Sequence, residues 1–304
     1  MELSRRKMLL GASAFAASGM LSNSFSNAHN KNLFNMNFAP HEGMFKTLAG
    51  DDIVDQINFA ASQGFRSWED NWLVKRSVNE QNRIGKALAD NSMTMGVFIA
   101  SDIDWVNPTM SLGDKNYISK FKNELKNSIE VAERVNAKWV TVVPGVADLK
   151  IHPNYQMANL LECLKRGSEV LENTGLIMVI EPLNNYEDHP GLILTEAAQA
   201  YYLCKAVDSP SCKILFDIYH QQISEGHLIA NIDQAWEEIA YFQIGDTPGR
   251  NEPTSGEINF KNIFKHIYNK GYRGVMGMEH GNSIAGVDGE NAVIDAYLDV
   301  GNFL

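Results

Sequence analysis

The sequence has 304 residues, of which 44% are hydrophobic and 21% charged, and this balance excludes a mainly disordered chain. The formal net charge of −11 argues against a DNA or RNA partner, because nucleic-acid affinity depends largely on neutralising phosphates. Three scattered cysteines, Cys163, Cys204 and Cys212, are too few for a disulfide framework or a Cys-based zinc site, so we expect them in the core.

The first segment of the chain has the order of an export signal. Arg5-Arg6-Lys7 precede a run of small and apolar residues from Gly11 to Met20, and Ser26-Asn27-Ala28 follow as a cleavage region. This order is typical of a twin-arginine signal over residues 1–28 and predicts a periplasmic protein. The alternative is a cytoplasmic protein with an amphipathic N-terminus. The apolar run is shorter than the ~20 residues of a membrane-spanning helix, so we expect no stable membrane insertion.

From about Asn32, short apolar runs alternate with amphipathic stretches, as in β/α units around a parallel sheet. Eight strands are predicted: Phe34–Pro40, Arg66–Glu69, Thr94–Ser101, Trp139–Pro144, Leu176–Pro182, Lys213–His220, Ala240–Asp246 and Gly274–His280. Helices are predicted around Leu160 and over Ile53–Ser62, Glu80–Ala89, Ile118–Val135, Glu196–Ala206, Asp233–Ile239, Phe260–Asn269 and Glu290–Gly301. The pattern predicts an α/β fold, a single-domain (β/α)8 TIM barrel over residues 29–304. An open doubly wound sheet is the alternative, although no Gly-rich phosphate fingerprint follows the first strand.

Four consecutive strands in the second half end in polar residues. These are Glu181, Asp217, Gln243 and Glu279. Catalytic groups of a barrel lie at the carboxyl ends of its strands, so we expect the four side chains to meet at one rim. Three carboxylates brought together repel one another, and a bound cation is the usual remedy. Ligation by oxygen alone suits Mg²⁺ or Mn²⁺ better than zinc.

Longer motifs surround these residues. They are Ile180-Glu181-Pro182-Leu183-Asn184, Phe216-Asp217-Ile218-Tyr219-His220, the run from Phe242 to Arg250 with Glu252-Pro253 and Gly256 to Phe260, and Met278-Glu279. They resemble the hydroxypyruvate isomerase family of the xylose isomerase-like superfamily. The resemblance covers roughly the last 130 residues, whereas residues 30 to 170 share only the strand and helix rhythm.

The resemblance implies that Glu181, Asp217, Gln243 and Glu279 bind the metal and that Glu181 and Glu279 are also the acid/base pair. Isomerising a hydroxy-carbonyl compound removes a proton from carbon, forms an enediolate and returns a proton elsewhere. Two glutamates can share these steps while a metal neutralises the developing oxyanion.

Further residues are candidates for binding the substrate. His220 could donate a hydrogen bond to a substrate oxygen, and Arg250 resembles an arginine that the family places near the metal. His41, Glu69 and Trp105 fall near predicted strand ends of the first half and are candidates for the pocket wall. Asp246 and Glu257 belong to the resembling loop, where supporting or solvated roles are as well supported as contact.

The substrate and the reaction type stay open at this stage. Gln243 stands where many ketose epimerases have histidine, which favours the hydroxypyruvate isomerase branch. His280-Gly281-Asn282 replaces the aromatic residue, lysine and proline that usually follow the last glutamate there, and export suits a ketose-type sugar. A lyase or dehydratase, a non-catalytic sugar-binding barrel and an endonuclease IV-like nuclease are the alternatives. Family members are often dimers or tetramers, so a homo-oligomer is an expectation from the resemblance alone.

Overall fold

The protein is described by a computed structural model that covers residues 34–304. It contains eight short strands, each inside or next to a predicted one: β1 (Asn37–Ala39), β2 (Ser67–Trp68), β3 (Thr94–Met95), β4 (Trp139–Val142), β5 (Ile177–Ile180), β6 (Cys212–Asp217), β7 (Ile239–Gln243) and β8 (Val275–Gly277). All strand pairs are parallel, in one six-stranded arc ordered β1-β8-β7-β6-β5-β4 and one pair, β2-β3.

The β2-β3 pair closes the arc into a barrel through two isolated parallel bridges. His41 beyond β1 pairs with Glu69 beyond β2, and the Glu69 N–H donates to the Pro40 carbonyl at 2.9 Å. On the other side Ile99 pairs with Thr141 of β4, whose N–H donates to the Phe98 carbonyl at 2.8 Å. The predicted (β/α)8 barrel is therefore confirmed, and the alternative of an open sheet is wrong.

Ten α-helices accompany the strands: α1 (Lys46–Ala49), α2 (Ile53–Ser62), α3 (Val78–Asp90), α4 (Lys115–Val135), α5 (Pro153–Leu171), α6 (Ala197–Val207), α7 (Ile218–Ser224), α8 (Leu228–Ala235), α9 (Phe260–Asn269) and α10 (Gly286–Gly301). Local signals fix several of their ends. Asp52 caps α2 by accepting from the Val54 N–H, and Ser77 with Glu80 forms a capping box at α3. The predicted helix Asp233–Ile239 overlaps only the end of α8, which continues as a 3₁₀ turn, Trp236–Glu238.

The core has two layers, as expected of a filled barrel. Inside the barrel, side chains from six strands or their extensions pack together, most of them aliphatic and one a tyrosine: Ala39, Val97, Val179, Leu215, Tyr241 and Val275. Outside, the helices bury apolar stripes against the sheet, such as Phe260, Ile263, Phe264 and Ile267 of α9. The interior is thus filled with apolar side chains below the carboxyl ends of the strands.

Two sequence expectations concern the rest of the chain. The predicted export signal at residues 1–28 lies outside the described residues and stays a prediction. Among residues 34–304, no helix combines the length and the apolar character needed to cross a membrane. Cys163, Cys204 and Cys212 are free and buried, which confirms that they belong to the core.

Candidate active site

The four polar residues predicted to share a rim lie at the carboxyl ends of neighbouring strands. Glu181 directly follows β5, Asp217 and Gln243 end β6 and β7 as register partners, and Glu279 stands two residues beyond β8. Ligand atoms of Glu181, Asp217, Glu279 and His220 all lie within 4.8 Å of one another. The parallel register therefore concentrates acidic groups at one point of the mouth.

Three oxygens at this point are buried and accept no hydrogen bond. They are Glu181 Oε1, Asp217 Oδ2 and Gln243 Oε1. A buried acceptor without a partner costs free energy, and natural proteins rarely keep one unless a ligand satisfies it. These oxygens, with the carboxylate of Glu279, form a donor set that suits a hard divalent cation such as Mg²⁺ or Mn²⁺. The residues present fit the predicted metal.

Strand β6 is shorter than predicted, because its last residue starts a helix. The Asp217 Oδ1 accepts from the Tyr219 N–H at 2.7 Å and from the His220 N–H at 3.4 Å, so Asp217 is the N-cap of α7. His220 therefore lies in the first helical turn rather than on the strand. The same carboxylate leaves its other oxygen, Oδ2, directed to the rim.

The hydrogen-bond network fixes the tautomer of His220. The amide of Asn184 has one orientation, because its Oδ1 accepts from the Glu187 N–H at 3.0 Å and its Nδ2 donates to Asp188 Oδ2 at 2.7 Å. Asn184 Nδ2 also donates to His220 Nδ1 at 2.8 Å. Burial and the positive charge of Arg250 lower the pKa of His220 well below its usual value, so the ring is neutral. A neutral ring that accepts at Nδ1 carries its proton on Nε2, so His220 presents a donor and not a metal ligand.

Glu279 is held from two sides. The Arg250 Nη2 donates to Glu279 Oε2 at 2.6 Å and lies 3.8 Å from Asp217 Oδ2, while Asn71 Nδ2 donates to Glu279 Oε1 at 2.6 Å. The guanidinium carbon of Arg250 also lies 5.0 Å from the ring centroid of Tyr219. The predicted role of Arg250 at the rim therefore has a geometric basis, since its charge faces two carboxylates.

Glu69 lies under the rim, fully enclosed. Its Oε1 accepts from Gln243 Nε2 at 2.8 Å, and its Oε2 accepts from the Tyr241 hydroxyl at 2.8 Å. A Cβ on Gly277 would lie 1.8 Å from Glu69 Oε2, so glycine is required where the carboxylate passes β8. Glu69 thus fixes the amide of Gln243 with its carbonyl oxygen free, and it contacts Gln243 instead of lining an open pocket wall.

Burial raises the pKa of three carboxyl groups at the site, and neighbouring charges add to the effect. Burial raises the pKa of Glu181 and of Glu69 well above the ordinary range, and the charge of Glu279 adds to both effects. Burial likewise raises the pKa of Asp217 to about 7, although Arg250 opposes the shift. Glu181, Asp217 and Glu279 thus lie close together with Arg250 beside them, and a divalent cation would stabilise their ionised forms.

The loop after β7 delivers Arg250 and is organised by Asp246. Its Oδ1 accepts from the N–H groups of Thr247 and Ile258 at 2.9 and 3.0 Å, and its Oδ2 accepts from the Gly256 N–H at 2.9 Å. The carboxylate is fully buried. Asp246 therefore supports the loop, whereas Glu257 is exposed.

Two of the predicted wall residues lie outside this cluster. His41 accompanies His280 along a separate depression of about 600 Å³ and its Nε2 lies 3.0 Å from the His280 carbonyl oxygen. Trp105 is half exposed and its indole stacks on the ring of His189, which lies 5.6 Å from the ring of His220.

Three residues of the site were not among the predicted candidates. Asn71, Asn184 and Tyr241 hold Glu279, His220 and Glu69 respectively. A period of two in β7 places Tyr241 on the same face as Gln243 and was a usable signal. Asn184 stands inside a quoted motif, but nothing in the sequence marks Asn71.

The fold and this rim define a class of protein. A family model described as xylose isomerase-like TIM barrel matches residues 57–297, and the chain belongs to that family. Hydroxypyruvate isomerase of Escherichia coli strain K12 is 29% identical over 235 residues, which cover 75% of this chain and 88% of that protein. The 2-oxo-tetronate isomerase of Cupriavidus necator is 27% identical over 228 residues, covering 75% of this chain and 86% of that one.

The solved structures agree on the fold. The crystal structure of AP endonuclease, family 2, from Brucella melitensis superposes with a TM-score of 0.73 at 21% identity, covering 84% of this chain and 96% of the other. The resemblance read from the sequence is therefore confirmed, and so is the class of enzyme, an isomerase.

Proposed function

We propose that the protein is a divalent-metal-dependent isomerase that moves a proton between neighbouring carbons of a small hydroxy-carbonyl compound, hydroxypyruvate or a ketose-type sugar. The observation that carries the proposal is the convergence of Glu181 and Glu279 with Asp217, ligand atoms within 4.8 Å, around buried oxygens that lack hydrogen-bond partners. The names of the two relatives support the same substrate class.

Proton transfer is assigned to the two glutamates. Glu181 is 4% exposed and has a raised pKa, so it is a stronger base than a solvated carboxylate and is shielded from water. It takes a proton from the hydroxyl-bearing carbon next to the carbonyl, and the electron pair of that C–H bond forms the enediolate. The former carbonyl carbon then receives a proton from Glu279, and the hydroxyl proton passes to the former carbonyl oxygen, so that the carbonyl and the hydroxyl exchange places. Glu279 follows β8, three strands along the chain from β5, so the two carboxyl groups approach the substrate from different sides.

Glu181, Asp217, Gln243 and Glu279 would hold the metal, which supplies positive charge that stabilises the enediolate oxygens. The chain's own donors orient the substrate. His220 Nε2–H donates to a substrate oxygen, and the Arg250 guanidinium faces an oxygen or carboxylate of the substrate.

The test follows exchange of carbon-bound protons by NMR in deuterated water, with Mn²⁺ or Mg²⁺ added to hydroxypyruvate and a panel of ketoses. Glu181→Gln and Glu279→Gln are each expected to slow exchange by about 10²–10⁴-fold, because each removes one acid/base group. Glu257→Gln, an exposed carboxylate of the β7–α9 loop, is the matched control and should exchange like the parent.

Parent-like exchange in both glutamine variants at the rim would overturn the proposal. Loss of a hydroxyl group from the substrate, seen in the same spectra as a deoxy-carbonyl product, would reassign the reaction to a lyase or dehydratase.

A further inference from the structure

A second pocket opens beside the acid/base cluster. It has a volume of about 880 Å³ and lies between the segments that follow β2 and β3 and one face of α4. Asn71 joins it to the cluster, because this residue lines the pocket and its Nδ2 donates to Glu279 Oε1 at 2.6 Å. Pockets of about 300–1,000 Å³ hold ligands of drug size, so this one offers far more room than a three-carbon acid needs.

Two exposed tryptophans line this pocket. Trp72 is 58% exposed and Trp105 is 45% exposed. Trp105 is backed by the imidazole of His189, with ring centroids 4.6 Å apart and planes within 17° of parallel, so its indole is held in place. Flat indole faces with negative π clouds pack well against the weakly positive C–H faces of sugar rings.

The pocket also contains acceptors without donors. Glu124 Oε2 and Asn71 Oδ1 are buried and accept no hydrogen bond. Hydroxyl groups of a ligand would satisfy such oxygens by donating to them, whereas a carboxylate or phosphate ligand would repel them.

The cations that line the pocket already face carboxylates. Lys75 Nζ lies 3.7 Å from Asp102 Oδ1, and Lys120 Nζ lies 2.9 Å from Glu124 Oε1. Among the described residues around this cavity the positive and negative charges therefore balance, and no cluster of unpaired cations is present to bind a phosphate. The paired charges therefore favour an uncharged ligand over an anionic one.

We infer that the Trp72–Trp105 pocket binds a neutral sugar ring. We infer further that the substrate is a hydroxy-carbonyl compound whose reacting carbons belong to a pyranose ring or are covalently attached to one. The inference rests on the proposed function for the reacting end of the substrate. The pocket itself is a binding site for uncharged carbohydrate, with the tryptophans as stacking surfaces and Glu124 as a hydroxyl acceptor.

The experiment measures binding to the full-length protein loaded with Mg²⁺, by saturation-transfer NMR and titration calorimetry. The probes are methyl β-D-glucopyranoside and cellobiose, with D-glucose 6-phosphate as the charged comparison. We expect saturation transfer to ring C–H protons of the neutral sugars, and binding at least about tenfold weaker in Trp72→Ala and Trp105→Ala. Tyr202→Ala, which removes a comparably exposed aromatic side chain from α6, should bind like the parent.

Glu124→Gln gives a second measurement if a tryptophan variant fails to fold, which thermal melting would reveal. It keeps the shape and weakens hydroxyl acceptance, so weaker binding is expected. The inference is overturned if neither sugar receives saturation, if the tryptophan and Glu124 variants bind like the parent, or if the phosphate binds more tightly than the neutral sugars.

The same preparations separate this inference from the proposed function. Sugar binding with no carbon-proton exchange on any candidate substrate would leave the pocket assignment standing and overturn the isomerase mechanism. Hydroxypyruvate exchange without sugar binding would do the reverse.

Discussion

Glu69 is a positioning residue, because it acts on the rim only through Gln243. An amide that rotates by 180° exchanges a metal-binding oxygen for a nitrogen that repels the cation, and the bond from Gln243 Nε2 to Glu69 Oε1 prevents this rotation. The Tyr241 hydroxyl and the absence of a side chain on Gly277 fix the carboxylate in turn.

Glu69→Ala removes the acceptor of Gln243 Nε2 and is therefore expected to weaken Mn²⁺ binding by about 10–100-fold, as loss of a residue supporting a ligand usually does. Titration calorimetry measures the dissociation constant. Gln243→Ala alone should also weaken Mn²⁺ binding. Adding the Glu69 substitution to Gln243→Ala should not change the dissociation constant further, because the amide that Glu69 orients is already absent. An equal loss in both backgrounds would mean that Glu69 only supports the fold.

We expect the carboxylate of Asp217 to have opposite effects on stability with and without a bound metal. Its folded pKa of about 7 lies above the ordinary value of 3.8, so the folded chain binds the extra proton between these values. The metal-free fold consequently loses stability as the pH rises from about 4 through 7, and a bound cation removes that penalty.

Asp217→Asn keeps the Oδ1 acceptor that caps α7 and removes the charge. At pH 8 without metal the variant should melt a few degrees above the parent, and the difference should shrink as the pH falls and vanish only below about pH 4, where the carboxyl is protonated in both states. With Mn²⁺ at a hundred times its dissociation constant, the parent should gain about 3 kcal/mol, or about 5–10 °C, and overtake the variant. Calorimetric scans with chelator and with metal would show whether the order reverses, and a parent less stable than the variant in all conditions would contradict this account.

The conformation of the loop after β7 depends on one buried side chain. Asp246 accepts from three backbone N–H groups of the loop that carries Arg250, so we expect its carboxylate to hold the guanidinium within reach of Glu279.

Asp246→Ala is expected to cost about 3 kcal/mol of unfolding free energy, because hydrogen bonds to a buried charge are lost together. It should also raise KM more than it lowers kcat, because we propose that Arg250 binds the substrate and transfers no proton. Urea unfolding and steady-state kinetics measure the two effects. Unchanged KM in a destabilised variant would show that Arg250 keeps its position without the loop's anchor.

The sequence was sufficient for the elements whose patterns are local. Two helices, Ile53–Ser62 and Phe260–Asn269, have the predicted bounds, because caps and apolar periodicity act within a few residues. Strand ends were less predictable. Strand β6 ends at Asp217 because this residue caps α7, and the apolar run before it does not indicate where the strand gives way to the helix. Helix α7 was missed for the same reason.

The site was predictable wherever a strand delivers the side chain. Parallel strands end at one rim, so Glu181, Asp217, Gln243 and Glu279 followed from order alone. Residues brought in by tertiary contacts were not predictable in this way. Asn71 and Glu279 are hydrogen-bonded although 208 positions separate them in the sequence. Glu69 was expected in the pocket wall, but its carboxylate is hydrogen-bonded to Gln243 inside the barrel.

Residues 1–28 are predicted to be a twin-arginine export signal, and the location of the whole protein in the cell tests this prediction. Arg5→Lys together with Arg6→Lys should retain the protein in the cytoplasm, if the paired arginines are read as a twin-arginine signal. Cell fractionation with an antibody against the mature barrel measures the distribution, and Lys7→Arg is the matched control that keeps the pair intact. Periplasmic accumulation of the double variant at the parental level would contradict the assignment.

The barrel is built unevenly, with a six-stranded arc and a two-stranded pair that meets it through isolated bridges at His41–Glu69 and Ile99–Thr141. Few backbone hydrogen bonds join the β2–β3 pair to the six-stranded arc at these two bridges. Local unfolding is easiest where such hydrogen bonds are sparse. Backbone amides of the β2–β3 quarter should therefore exchange with solvent sooner than those of β5 to β8. Under the proposed function, the well-paired strands β5 to β8 would carry the acid/base groups. The less well-paired β2–β3 part would border the proposed sugar pocket, where adjustment to longer ligands would leave the acid/base groups in place.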